Sequence, residues 1–198
     1  MNAELQRRLD QIEGRITDHD FLSSRGIGNE IACYIFDYPA EDELQVRAHF
    51  GHLRARLKSH HDNLDVLHLD LFDVAIEYLK GRRLLDKALA MQKSKGDAGL
   101  VRMLEGPLKA ERIRDFIHDQ YPLDQKDLIL VTGVGSVWPV LRSHALLNCL
   151  HSVIGETPLV LFYPGEFDGT ALHLFGRPNS DQASASARPY YRAFSLIQ

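Results

Sequence analysis

The chain has 198 residues, 44% of them hydrophobic and 25% charged, with a formal net charge of -4. That length suits one domain, or one with an appendage, and buries enough surface to fold without disulfides or a structural metal. The acidic balance excludes broad, charge-driven binding to nucleic acid, and no apolar run approaches the roughly 20 residues that a membrane helix needs.

Leu5, Leu9, Ile12 and Ile16 recur at helical steps, so residues 3–18 are expected to form an amphipathic helix. Arg7, Arg8 and Arg15 then fall on its solvated side. The first residues carry no apolar leader segment, which points to a cytosolic protein. Phe21 to Glu30 reads as a Gly-containing loop and residues 31–37 as a first strand. Pro39 with Glu41, Asp42 and Glu43 marks a helix start, since carboxylates complement the positive end of the helix dipole. Val46, Phe50, Leu53 and Leu57 continue that helix on one face.

Leu64 to Leu71 reads as a second strand. Residues 72–120 read as a mostly helical insertion, with a break near Gly81, a turn at Ser94 to Asp97, and a kink at Gly106-Pro107. Leu128 to Val134 and Leu159 to Tyr163 are near-continuous apolar runs, the pattern of strands covered on both faces. Residues 171–176 and 190–196 suggest late strands, and residues 179–189 a flexible loop. The expected fold is one α/β domain with a mostly parallel sheet of five to six strands, flanked by helices. Cys33 and Cys149 lie in apolar runs and are expected to be buried thiols in a reducing compartment.

Candidate chemistry collects at the strand ends. Thr132-Gly133-Val134-Gly135-Ser136 follows an apolar strand, but it lacks the lysine of a Walker A loop. It also lacks the third glycine of a dinucleotide fingerprint, where Trp138 stands. What remains is a tight turn, with Ser136 capping a helix and Pro139 in its first turn. Arg142 about one turn on would add a charge for an anion at that helix start. Asp37, Asp70, Glu166 and Asp168 end or follow strands, so in a parallel sheet they gather beside Gly133 and Ser136 at the carboxyl edge. Turn formation explains Asp37 and Asp168 more simply than a metal does, and no metal or other cofactor is expected. His49 and His52 have no partner at zinc spacing and fit a surface helix. Ser143 and His144 are neighbours on a helix, so their side chains diverge, and no nucleophile elbow is present.

Two blocks also resemble a known family. The first is Gly26-Ile27-Gly28-Asn29-Glu30 with Ile35-Phe36-Asp37-Tyr38 and Glu41-Asp42-Glu43-Leu44. The second is Thr132-Gly133-Val134-Gly135-Ser136-Val137-Trp138-Pro139 with Leu141-Arg142-Ser143-His144, then Leu161 through Gly169. Together they resemble BrxB, a small component of bacterial BREX phage-defence systems, over nearly the whole chain.

The resemblance implies an accessory protein acting with other BREX components, notably the alkaline-phosphatase-like PglZ. It brings no catalytic residue with it. The expected function is therefore a non-enzymatic accessory or scaffold protein that binds a partner. Gly133, Gly135, Ser136, Arg142, Asp37 and Glu166 are the candidates for binding that partner or an anion. The alternative is a degenerate phosphate- or nucleotide-binding domain. Direct DNA contact through Arg82, Arg83, Lys87, Lys93 and Lys95 is not expected.

Overall fold

Five strands run parallel in the order β2 (Val66–Asp70), β3 (Leu128–Thr132), β4 (Leu159–Phe167), β1 (Cys33–Tyr38) and β6 (Ala193–Ser195). A sixth, β5 (Leu172–Leu174), turns back antiparallel on the far end of β4. A computed structural model of the chain describes residues 2–23, 33–176 and 193–197. The α/β class and the mostly parallel sheet are those expected from the sequence.

Alternation along the strands builds two cores. Tyr34, Phe36 and Tyr38 of β1, with Val160 and Phe162 of β4, face one side. There they meet α1 (Ala3–Ile16), α2 (His19–Leu22) and α3 (Glu43–His60). Phe162 sits between Phe36 and Phe50, with ring centroids 5.6 and 4.9 Å away. Ile35, Ile129, Val131, Leu159, Leu161 and Tyr163 face the other side. This second face is covered by α4 (Leu71–Gly81), α5 (Leu85–Leu104), α6 (Ala110–Gln120), α7 (Val134–Val137) and α8 (Ser143–Leu150).

The two faces follow from the path of the chain. From β1 the chain crosses through α3 to β2 at the far edge, then returns through β3 to β4 with its helices on the opposite face. Right-handed crossovers made in opposite directions place their helices on opposite faces. The connections therefore diverge at the carboxyl ends of β1, β3 and β4, where open sheets place their sites.

Several boundaries differ from the sequence reading. β4 continues past Tyr163 through Pro164 and Gly165 to Phe167, because β5 supplies new antiparallel partners where β1 ends. The insertion breaks at Arg83 (φ 56°), kinks inside α5 at Gly96 (φ 66°), and turns through Gly106 and Pro107 into α6. The 179–189 segment, and 24–30 of the expected Gly loop, lie outside the described residues. Among the described residues, no helix is long and apolar enough to cross a membrane.

Candidate functional site at the carboxyl edge

The strand ends bring two small hollows together around Tyr38. Asp37 and Glu166 line one of about 380 Å³, with Arg8, Glu41 and Phe175. Gly133 lines a second of about 90 Å³, with Glu43, Arg47, His68, Asp70 and Thr132. Tyr38 walls both.

In the first hollow Asp37 is already engaged. Asp37 Oδ1 accepts from Arg8 at 2.7 Å, and its Oδ2 accepts from the Phe167 N–H at 3.0 Å. Arg8 is therefore not on the solvated side of α1. Its guanidinium lies 5.0 Å from the Phe36 ring centroid, and its side chain is only 19% exposed. Position 8 flanks the apolar stripe of Leu5, Leu9 and Ile12, so a long side chain can cover the stripe's border. Glu166 is exposed and lies opposite His173 in the β4–β5 register. Asp168 closes the turn between those strands, accepting from Thr170 and Ala171 N–H at 2.8 and 2.7 Å. The Thr170 hydroxyl and these N–H groups hold its carboxyl well below the usual carboxylate range.

The second hollow holds a connected polar network. Asp70 caps α4, taking the Phe72 and Asp73 N–H groups at 2.9 and 3.3 Å. Its other oxygen accepts from the Thr132 hydroxyl at 3.0 Å. That hydroxyl has one proton, so the 2.8 Å contact to His68 Nε2 must be an N–H donated by the ring. Tyr38 donates to Glu43 at 2.6 Å, and burial together with that carboxylate pushes its phenol upward, so it stays protonated. Arg47 bridges Glu43 to Ser136, at 2.6 and 2.9 Å.

The Gly133 turn is built differently from the expected phosphate cradle. Gly133 has φ 79°, and a Cβ there would stand 2.7 Å from Asp70 Oδ1. A carboxylate thus occupies the place where a phosphate would approach. Ser136 caps no helix: it lies inside the four-residue α7, which ends at the cis Trp138–Pro139 bond. Pro139 therefore lies beyond α7, not in its first turn. Four residues present no array of free N–H groups comparable to a full helix start. Gly135 packs against Phe175 and Pro164, each 3.2 Å from where its Cβ would be. Arg142 stands at the start of α8, where its carbonyl accepts from the Leu146 N–H at 3.1 Å. It lines neither hollow, and its side chain makes no hydrogen bond or ion pair among the described residues.

Five residues that the sequence reading did not select sit at the centre of this edge: Arg8, Tyr38, Arg47, His68 and Thr132. The i, i+4 spacing of Glu43 and Arg47 is the one local signal available for Arg47. Tyr38 reaches Glu43 five residues on, and Arg8, His68 and Thr132 are joined by contacts between residues distant in the chain. Among the described residues, no cluster of three His, Cys, Asp or Glu side chains is placed to hold a metal. Burial pushes the Cys33 thiol up to about 12 and raises Cys149 as well, so neither is an activated nucleophile.

His68 makes this edge sensitive to pH. Burial, then Arg54, lowers its pKa from 6.5 to about 4. The unfolded chain takes the proton first, so the native state loses stability as pH falls from about 6.5 to 4 and keeps it above. With a discount for partial solvent exposure, the loss from this group is about 2 kcal/mol. Urea midpoints at pH 7.5 and 4.5 check this: the acid-induced drop should be visibly smaller in His68→Gln than in the wild type.

The family model described as BREX protein BrxB matches residues 67–196. A "BREX protein BrxB" from Escherichia coli O9:H4 (strain HS) is 39% identical over 193 residues, covering 98% of this chain and 92% of that relative. A "BREX protein BrxB" from Bacillus cereus (strain H3081.97) is 38% identical over 196 residues, covering 98% and 97%. No solved structure matches the chain.

Proposed function

We propose a docking role for this chain, which belongs to the BrxB family of BREX proteins. In this reading it is a non-enzymatic accessory component of a phage-defence system, and its carboxyl edge binds a partner BREX protein. The family resemblance points to the alkaline-phosphatase-like PglZ as that partner.

One observation carries the reading. The large apolar side chains exposed beside the strand ends are Leu44 at 80%, Phe72 at 49% and Phe175 at 36%. Leu44 stands in the first turn of α3 after β1, and Phe72 in the first turn of α4 after β2. Phe175 lines the hollow of Asp37 and Tyr38. Strands β1 and β2 are three places apart in the sheet, so the three side chains are spread along a rim of about 14 Å. Phe175 also holds φ 57°, a backbone state that bulky residues rarely adopt. Exposed apolar anchors beside polar groups that already bond one another suit a protein surface. The same internal bonds leave few polar groups at hand for a reaction.

Co-purification with PglZ tests the proposal. The Leu44→Glu and Phe72→Glu pair should lower retention at least tenfold with an unchanged unfolding midpoint. Leu89→Glu, at an exposed apolar position on α5, should retain the partner. Equal retention by all three proteins would remove the carboxyl edge from the interface.

A further inference from the structure

β2 ends the sheet and pairs on one side only, with β3. The carbonyl of Asp65 accepts from the Asp127 N–H, and its own N–H donates to the Asp127 side chain. Asp65 thus turns its backbone groups toward β3, and Leu67 and Leu69 follow in the period of two. The N–H and C=O groups of Val66 and His68 therefore point out of the sheet. Among the described residues, no strand meets them.

Open edges are commonly blunted by proline, lysine or a bulge. β2 reads Val66-Leu67-His68-Leu69-Asp70, and its register with β3 is unbroken. None of those devices is present. A groove of about 720 Å³ runs beside this edge, with α3 as its other wall. Gly51 and Ala55 form a low part of that wall, and a Cβ added at Gly51 would meet nothing within 4 Å.

The charges beside the groove are unequal. Arg54 and Lys58 are exposed, and neither forms an ion pair among the described residues. Of the two acids lining it, Asp65 is bound to Lys126 at 2.7 Å, which leaves Asp62. Two copies of this chain pairing through β2 would bring both sets of Arg54 and Lys58 to one seam, where like charges repel.

We propose that the β2 edge receives an extended, acidic segment of a partner protein as an added strand. Val66 and His68 supply the main-chain bonds, and Arg54 and Lys58 select the acidic side chains. This surface lies on the outer side of the sheet and does not depend on the docking role proposed for the carboxyl edge.

The test uses a fluorescent nonapeptide alternating valine and glutamate, with a valine–lysine peptide as the control. Anisotropy should show saturable binding of the acidic peptide only. Arg54→Glu with Lys58→Glu should weaken it at least tenfold, whereas Phe72→Glu should leave it unchanged. Bound peptide should slow amide exchange at Val66 and His68 at least tenfold. Equal binding of the two peptides, indifference to the charge reversal, or unprotected Val66 and His68 amides would each overturn the proposal. So would a concentration-dependent dimer that Val66→Pro abolishes, because the edge would then belong to self-pairing.

Discussion

Replacing Gly165 by alanine should lower stability by about 3 kcal/mol, at the upper end of the usual cost of overpacking. The new Cβ would stand 2.2 Å from the His173 carbonyl oxygen and 2.9 Å from the Tyr163 ring. Neither neighbour can withdraw without loss. The carbonyl belongs to the backbone beside Leu174, which is in register with Gly165, and the Tyr163 ring is fully buried. Relief must come from separating β5 from β4, which draws Leu172 and Leu174 out of the core. It also displaces Phe175, whose N–H donates to the Pro164 carbonyl at 2.9 Å. For a chain of this length, 3 kcal/mol lowers the unfolding midpoint by roughly 10 °C. A thermal scan that places Gly165→Ala within 2 °C of the wild type would show that the hairpin accommodates the methyl group. Partner retention should fall together with the midpoint, because the same hairpin positions Phe175.

Gly165 also shows where sequence reasoning runs short. Pro164-Gly165 looks like the end of a strand because one residue lacks an N–H and the other favours turns. The chain keeps β4 extended there because β5 returns alongside it, a fact of topology that no local signal encodes. The buried runs at 128–131 and 159–163 were legible for the opposite reason. Strands covered on both faces are apolar throughout, whatever their order in the sheet. The amphipathic stripe of α1 was legible too, yet Arg8 was misplaced. The stripe gives the direction of the core but not the carboxylate that waits at its border.

The candidate site divides along the same line. Strand-end acids could be placed at one edge once the strands were taken as parallel. Ser136 and Arg142 could not be separated by sequence, since one continuous helix and two short ones joined by a cis proline have similar apolar patterns. The structure puts Ser136 under Arg47 and leaves Arg142 on another helix. Arg47 and Ser136 lie 89 positions apart in the chain, which no local pattern spans.

The second large effect belongs to Asp37. Its carboxylate joins α1, β1 and β4 at one point, through Arg8 and the Phe167 N–H. Asp37→Ala should cost about 2–3 kcal/mol. The guanidinium over Phe36 loses its counter-charge, and a part-buried N–H loses its acceptor. The pair is about one-fifth exposed at each partner, so the cost stays below that of a fully buried ion pair. Arg8→Met should be milder, because its chain can still cover Phe36 and Asp37 keeps the Phe167 bond. Asp37→Asn should fall between the two, since an amide oxygen can still accept from Phe167 while the charge is gone. Urea titrations of the three variants and the Arg8→Met/Asp37→Ala double variant give a complete cycle. If the pair is coupled as the 2.7 Å contact indicates, the double variant loses less than the sum of the single losses. Additive losses would mean that Arg8 and Asp37 act independently, and that the edge is held by the Phe167 hydrogen bond alone.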